Sequence, residues 1–307
     1  MDRLEAMRIF AVAAKSKSFS AAARTLGLSG PSVTRAVQGL ERHLGAELFA
    51  RTTRVAKLTE LGQRYLLDVE RVLSALAEAE SAVQGALSTP SGELRVTAPV
   101  RFGTQFVAPS LFSFLEEHSG VSARLILNDR TMDLVEEGFD VAVRIGHLRD
   151  SSLMAVKVGY VRRLVCAAPR YLAKRGRPRS PLGLRNHDAI LLPPDMALHE
   201  WAFAHPRQRR AKPRQLTTPC ARVMVSSVEA AVAASVAGLG VLRALSYQVQ
   251  DELDAGNLEV LLEKFEPPKL PVHVVFSHAR RSPLKVRLFV DHVVSELRAA
   301  LSWHPKP

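Results

Sequence analysis

The sequence predicts an α/β protein that carries a winged helix-turn-helix module at its N-terminus. Three observations lead to this fold class. Apolar residues recur at helical spacing in the first part of the chain, and from Glu93 onward strand-like runs alternate with helical patterns. A segment rich in helix breakers, STPSG at 88–92, separates the two parts.

The N-terminal module begins with an amphipathic helix whose apolar stripe consists of Leu4, Met7, Phe10 and Ala14. A second helix follows, capped by Ser18 or Ser20, and it runs to about Leu26, where Gly27 ends it. A third helix begins at Gly30–Pro31, because proline is tolerated in the first turn of a helix. The short connection 27–30 is typical of a helix-turn-helix.

The third helix has two chemically different faces. One face is apolar and consists of Val33, Val37, Leu40 and Leu44. The opposite face consists of Pro31, Thr34, Arg35, Gln38 and Arg42. Small hydroxyls, an amide and guanidinium groups suit base edges and phosphates, so this face predicts DNA reading, although a solvated helix face is the alternative.

A basic hairpin, 48–58, follows this helix and resembles a wing that lies on the DNA backbone. We expect Arg51, Arg54 and Lys57 to touch phosphates. The complete set of predicted DNA contacts is Ser29, Pro31, Ser32, Thr34, Arg35, Gln38, Arg42, Arg51, Arg54 and Lys57.

A long helix opens at Thr59 and carries apolar residues at alternating spacings of three and four. The seam consists of Leu66, Val69, Leu73, Leu76, Glu80, Val83 and Leu87, with Glu80 as its one interruption. The stripe could pack on its own domain, but its length and its place between two domains favour dimerisation. Two DNA half-sites also require two readers. We therefore assign 1–59 to the DNA-binding domain, 60–87 to a linker and dimerisation helix, 88–92 to a hinge and 93–303 to a regulatory domain.

The regulatory part has eight apolar strand candidates: 94–98, 123–127, 141–145, 164–168, 189–192, 223–225, 258–262 and 272–277. The helical patterns between them are 104–117, 132–137, 228–237, 247–255 and 283–301. Alternating strands and helices predict parallel sheets with ligand clefts at the strand ends.

Composition narrows the function classes. The chain of 307 residues carries a formal net charge of +12, which favours polyanionic partners. The N-terminus lacks the uninterrupted apolar run of a signal peptide, and the longest apolar run, 230–242, is too short to span a membrane, so a cytoplasmic protein without a membrane partner is expected. No catalytic fingerprint, metal-binding spacing or cofactor motif is present, which disfavours an enzyme.

Two cysteines, Cys166 and Cys220, lie far apart in the sequence. Two distant cysteines indicate a protein of a reducing compartment, and we expect both thiols to be buried and inert. A redox switch between them is the alternative. Trp201 and Phe203 are expected in the core, and the basic run 207–214 is expected to form a solvated loop.

Two predicted helix starts in the regulatory part offer hydroxyls and backbone N–H groups to an anion. One is the segment 97–104, with Thr97, Pro99, Val100, Arg101 and Phe102, and the other follows Ser226–Ser227. The positive end of a helix dipole favours negative charge, so both starts are candidate effector contacts. The alternative is that these hydroxyls only cap helices.

The chain resembles the LysR-type transcriptional regulators over nearly its whole length. The resemblance rests on FSAAARTLGLSGPSVTRAVQGLERHLGAELFAR and LTELG, and then on GELRVTAP, DLVEEGFDVAVRIGHLRDSSL, APRYLAKRG and AAVAASVAGLGV. Gly30 departs from the pattern, because relatives usually have glutamine there, and so does Leu245, where many relatives have proline.

The resemblance implies a two-lobed, periplasmic-binding-protein-like effector domain. Lobe I would comprise 93–163 and 269–303, and lobe II would comprise 164–268. Both helix starts would face the cleft between the lobes, with Arg144 nearby, which suggests a small carboxylate or similar anion as effector. The resemblance thus implies a regulator that binds double-stranded DNA as a homodimer or homotetramer. The alternatives are a two-lobed solute-binding protein and a ligand-independent architectural DNA binder.

Overall fold

The fold is known from a computed structural model of the chain. It describes residues 2–16, 18–50, 57–83, 89–129, 134, 137–148, 153–193, 201–204, 214–215, 220–277 and 283–302. The chain divides into two compact units, Met1–Gly92 and Glu93–Pro307, and each is described by itself.

The first unit is helical. Its helices are α1 (Arg3–Lys15), α2 (Phe19–Leu26), α3 (Gly30–Leu44) and α4 (Glu60–Val83). The Ser18 hydroxyl accepts a hydrogen bond from the Ala21 N–H at 3.2 Å and caps α2, as one of the two sequence alternatives predicted. Gly27 ends α2 with φ of 65°, a left-handed conformation that glycine adopts without strain.

The base of the wing is a short antiparallel pairing. Phe49 and Leu58 form a β-bridge, and the Ala50 N–H donates to the Lys57 carbonyl at 2.8 Å. Arg51 and Arg54 lie outside the described residues. The predicted hairpin is therefore confirmed at its base.

The apolar seam of α4 turns toward its own domain over the part that the structure describes. Val69 is 1% exposed in a core with Phe10, and Leu66 and Leu73 pack against that core. Val69 is therefore part of the domain core and not of a dimer seam, whereas Leu66 and Leu73 are only half-buried and their place in a dimer seam stays a prediction. The described part of α4 ends at Val83, and the side chains of Glu80 and Val83 and the whole of Leu87 lie outside the described residues.

The second unit contains a first mixed sheet. In chain order its strands are β1 (Gly92–Ala98), β2 (Val121–Leu127), β3 (Val141–Ile145), β4 (Met154–Val161) and β12 (Leu270–Phe276), and their spatial order is β2-β1-β3-β12-β4. Between β1 and β2 the chain forms α5 (Val100–Phe102), a π-helical turn (Gly103–Val107) and α6 (Ala108–Glu117). α6 packs on α10 (Leu284–Ser302), and both cover the face that carries Leu94, Val96 and Ala98.

A second mixed sheet follows. Its strands are β5 (Arg163–Ala167), β6 (Asp188–Leu191), β9 (Cys220–Met224), β10 (Val241–Leu245) and β11 (Glu259–Leu261), and their spatial order is β11-β5-β10-β6-β9. The accompanying elements are α7 (Pro169–Arg175), the pair β7 (Ala202–Phe203) and β8 (Arg214–Gln215), α8 (Val228–Val236) and α9 (Ser246–Asp254). Trp201 and Phe203 are buried in a core of this sheet, as predicted.

The prediction of parallel sheets was wrong in part. β1 and β3 are parallel, and so are β6, β9 and β10, but β12 runs antiparallel to β3 and β4, and β5 runs antiparallel to β10 and β11. The sequence patterns give the order of strands and not their direction, which explains the error. The strands β4 and β10 were missed, and most of the expected helix 132–137 lies outside the described residues.

The chain passes between the two sheets twice, at Arg162 and in the segment that precedes Leu270. Each sheet with its helices thus forms one lobe of the second unit. Among the described residues, no helix is both long enough and apolar enough to cross a membrane.

Candidate nucleic-acid interface and effector site

Helix α3 presents the polar face that the sequence predicted. Val33, Val37 and Leu40 are buried against α1 and α2, which holds the opposite side of the helix outward. Of the predicted DNA contacts on this helix and its cap, the exposed ones are Ser29, Pro31, Arg35, Gln38 and Arg42, and the half-buried ones are Ser32 and Thr34. Leu44, assigned to the apolar face, is 39% exposed because the helix ends at Gly45.

Several of these side chains also serve the helix itself. The Ser29 hydroxyl caps α3 by accepting from the Ser32 N–H at 3.2 Å, and the Thr34 hydroxyl donates to the Gly30 carbonyl at 3.1 Å. The guanidinium groups of Arg35 and Arg42 each reach back one turn, to carbonyls at 3.4 and 3.3 Å through Nε. Their terminal nitrogens have no described partner that would prevent contact with DNA.

The wing is tied to α3 by a residue that the sequence analysis missed. Glu41 Oε1 accepts from the N–H groups of Leu48 and Phe49, at 2.7 and 3.1 Å. Lys57, at the other side of the wing base, is exposed. One carboxylate therefore fixes the basic hairpin relative to the polar face of α3.

The first predicted anion position is already filled. The Val100 N–H, the first of α5, donates to Asp129 Oδ1 at 3.0 Å. Burial raises the pKa of Asp129, the bond from Val100 opposes the rise, and the charge of Glu229 adds to it. The helix start that follows Pro99 therefore holds a carboxylate of the same chain.

The second predicted anion position is filled as well. Ser227 caps α8 by accepting from the Ala230 N–H at 3.3 Å, and its hydroxyl donates to Glu229 Oε2 at 2.7 Å. Ser226, just before it, is exposed. The capping alternative thus accounts for the contacts of Ser227.

Arg101 and Phe102 join the two lobes. An Arg101 nitrogen lies 3.6 Å from an Asp251 carboxylate oxygen on α9. Phe102 is fully buried, and its ring centroid lies 5.2 Å from that of Tyr247, also on α9. Burial places Phe102 in the junction core, where it has no surface left for an effector.

A cavity of about 380 Å³ opens beside this junction. Its charged walls are Arg101, Arg170, Glu229 and Glu252, and its apolar wall belongs to α8. Arg170 is itself fixed, because its guanidinium donates twice to the Val236 carbonyl, at 3.1 and 2.6 Å. The cavity therefore carries both signs of charge.

Thr97 and Arg144 lie on one face of the first sheet. Thr97 pairs with Ala142, two residues before Arg144 on β3, and residues two apart on a strand share a face. The Thr97 hydroxyl is fully buried and makes no hydrogen bond with any described residue. Burial lowers the pKa of Arg144, and the charge of Glu137 opposes that shift.

Asp129 and Glu229, which occupy the two predicted anion positions, were missed by the sequence analysis. Asp129 lies two residues after the end of the apolar strand β2, and a pair of polar residues at a strand end is the signal that could have found it. Glu229 has a weaker signal, because an acidic residue in the first turn of a helix is ordinary.

The two cysteines differ. Cys166 is buried in the core, but Cys220 is exposed on the edge strand β9, so the prediction of two buried thiols was wrong for Cys220. Three strand spacings separate them across the sheet, about 14 Å, which is too far for a disulfide. The described residues include no cluster of histidine, cysteine or acidic side chains that could hold a metal ion.

A helix-turn-helix unit followed by a two-lobed ligand-binding unit defines the class of ligand-responsive transcriptional regulators. Residues 4–63 match the family model described as the bacterial regulatory helix-turn-helix protein of the lysR family, and residues 88–298 match the LysR substrate binding domain. The chain therefore belongs to the LysR family of transcriptional regulators. It is a DNA-binding regulator with an effector-binding domain and not an enzyme.

Similar proteins support this assignment over the whole chain. The transcriptional activator AaeR of Escherichia coli K12 is 30% identical, and the match covers 95% of this chain and 93% of AaeR. The structure of CrgA from Neisseria meningitidis is 30% identical with a TM-score of 0.59, covering 95% of this chain and 98% of CrgA. Full-length AphB of Vibrio cholerae is 25% identical with a TM-score of 0.61, covering 96% of this chain and 99% of AphB.

Proposed function

We propose that this regulator reads its operator with the exposed face of α3 and holds the DNA backbone with the wing. The observation that carries the proposal is the separation of α3 into a buried apolar face and an exposed face with Arg35, Gln38 and Arg42. Guanidinium and amide groups pair with base edges in the major groove. Pro31, Ser32 and Thr34 lie at the start of the same helix, and Lys57, with Arg51 and Arg54, supplies phosphate contacts.

A footprint on the DNA upstream of the protein's own coding sequence tests this proposal. We expect a protected site with two-fold symmetry, and Arg35→Ala should weaken specific binding by about 1–3 kcal/mol. Arg298→Ala, which removes an exposed arginine from α10, is the matched control and should leave the footprint intact. Unchanged affinity and sequence preference in Arg35→Ala would remove this residue from the reading face.

The proposed operator-binding form is a homodimer or homotetramer. Helix α4 exposes Leu61 (57%) and Val72 (46%), which lie three turns apart on one side of the helix, away from the stripe that packs on the domain core. An exposed apolar stripe of this kind suits a second copy of α4. Sedimentation of Val72→Asp should show a smaller species than the wild type, and an unchanged size would exclude this face.

The proposed effector is a small molecule with an anionic group, in the class of carboxylates, bound where the two lobes meet. Arg144 and the Thr97 hydroxyl, which has no hydrogen-bond partner among the described residues, offer the anionic group a place on the first lobe. Ser226 and Ser227 on the second lobe would contact the rest of the ligand, because Glu229 already occupies the anion position at the start of α8. Such a ligand switches the regulator only if it binds one arrangement of the lobes better than another. A Thr97→Val, Ser227→Ala double variant should lose the effect of carboxylates on the footprint, and a full response would count against these residues.

A further inference from the structure

The anionic end of an effector needs a place other than the two helix starts. Asp129 occupies the N–H of Val100, and Glu229 accepts from Ser227 at the start of α8. An external carboxylate at either position would have to displace a carboxylate of the chain and would meet its negative charge. Both positions therefore disfavour an anion.

A row of basic side chains crosses the first sheet on the face that carries Thr97. His273 on β12 pairs directly with Arg144 on β3 and, on its other side, with Lys157 on β4. Directly opposite residues on neighbouring strands share a face, at about 5 Å spacing. Basic side chains at this spacing on one face can donate hydrogen bonds to a single anion.

The described side chains whose charge acts on His273 are basic. The ring is half-buried, and its Nδ1 has no hydrogen-bond partner among the described residues. Burial lowers the pKa of His273, and the charges of Lys157 and His147 lower it further, whereas hydrogen bonding to the Gly146 backbone raises it. At the other end of the row, the charge of Glu137 acts on Arg144 and partly offsets its positive charge.

We propose that Arg144, His273 and Lys157 form the oxyanion subsite that holds the carboxylate or phosphate group of the effector, and this inference rests on the function proposed above. Arg144 offers a fork of donors, and Lys157, whose Nζ now donates to the Tyr160 hydroxyl at 2.8 Å, offers a mobile charge. His273 takes up a proton when the anion binds and donates through Nδ1. The hydroxyl of Thr97 is a further donor on the same face.

The pKa of His273 in the full-length protein tests the subsite directly. The ring proton signals of the ten histidines are followed by NMR as the pH is changed, with His273→Gln used to identify the signal. Sodium sulfate is the probe, because it keeps its charge over this pH range, and sodium chloride at equal ionic strength is the reference. We expect sulfate to raise the His273 pKa by about half a unit or more relative to chloride.

Two lysine variants provide the contrast. Lys157→Met should reduce the rise that sulfate causes in the His273 pKa. Lys174→Met, which removes an exposed lysine from α7, should leave that rise unchanged. Equal midpoints in sulfate and chloride would overturn the subsite, because a nearby bound anion cannot leave the His273 pKa unchanged.

Footprinting of the wild type with benzoate separates this inference from the proposed function. If benzoate changes the footprint but leaves the pKa of His273 unchanged, the effector is anionic but binds elsewhere, and the subsite is wrong. If His273 responds to sulfate and to benzoate while the footprint stays constant, the subsite stands and its regulatory role is overturned.

Discussion

The guanidinium of Arg162 donates two hydrogen bonds to the carboxylate of Glu266, from Nε at 3.0 Å and from Nη2 at 2.7 Å. Arg162 lies where the chain first leaves the first sheet, and Glu266 lies where it returns. The backbone of Arg162 makes two further hydrogen bonds with Ser246. The Ser246 N–H donates to the Arg162 carbonyl at 2.9 Å, and the Arg162 N–H donates to the Ser246 hydroxyl at 3.2 Å. The two passages between the lobes are thus joined to each other, and the hydrogen bonds to Glu266 raise the pKa of Arg162.

We expect Glu266→Gln to loosen this junction. The amide keeps one acceptor but loses the charge and the second acceptor, and because Arg162 is 39% exposed we expect a loss of only about 1 kcal/mol. The midpoint of urea unfolding measures it. Glu60→Gln, which breaks an exposed pair with Arg64 on α4, is the control and should change the midpoint less. Equal shifts in both variants would show that the pair at the junction stabilises the protein no more than an exposed ion pair does.

The carboxylate of Glu41 should set the wing for DNA. Glu41→Ala leaves the N–H groups of Leu48 and Phe49 without acceptors, and both residues are buried, so we expect a loss of about 1–3 kcal/mol in unfolding free energy. Affinity should fall on specific and non-specific DNA alike, because the wing contacts phosphates. Thermal unfolding and fluorescence anisotropy measure the two effects. Glu41→Gln keeps an acceptor oxygen and should behave nearly as the wild type, and similar losses in both variants would mean that the charge matters more than the two bonds.

A thiol reagent should distinguish the two cysteines. Cys220 is exposed, whereas burial raises the pKa of Cys166 to about 12 and hides its sulfur. We expect one thiol to react in the native protein and two in urea, measured by the absorbance of a disulfide reagent. Cys220→Ser should abolish the native reaction. A second fast thiol in the native wild type would contradict the burial of Cys166.

The sequence predicted best where a local rule acts within a few residues. Ser18 and Gly27 define α2 by capping and by a left-handed stop, and Val33, Val37 and Leu40 define the buried face of α3 by their spacing alone. The strand β3 has the bounds that its apolar run predicted. These features require no knowledge of distant partners.

Features that depend on distant partners were not predictable in this way. The antiparallel direction of β12 is set by its pairing with β3 and β4, far away in the sequence. Asp129 faces Val100 because two strands bring them together, and His273 meets Arg144 and Lys157 only in the folded sheet. A stripe with heptad spacing fits a dimer seam and a domain core equally well, and Val69 shows that packing on the domain took precedence.

Acidification should destabilise the protein partly through His187. Burial lowers the pKa of this ring, Arg175 lowers it further and Asp188 opposes the shift, so the folded pKa lies below the value of about 6.5 expected when unfolded. Between those two values the unfolded chain binds more protons, and stability therefore falls as the pH drops through that window. His187→Phe keeps an aromatic ring beside Tyr171 and removes this proton uptake. The melting temperature should consequently fall less between about pH 7.5 and pH 5.5 than in the wild type, although His273 still contributes in the same direction. The same fall in the variant and the wild type would mean that His187 takes up its proton equally in the folded and the unfolded state, so that its pKa is not lowered by folding.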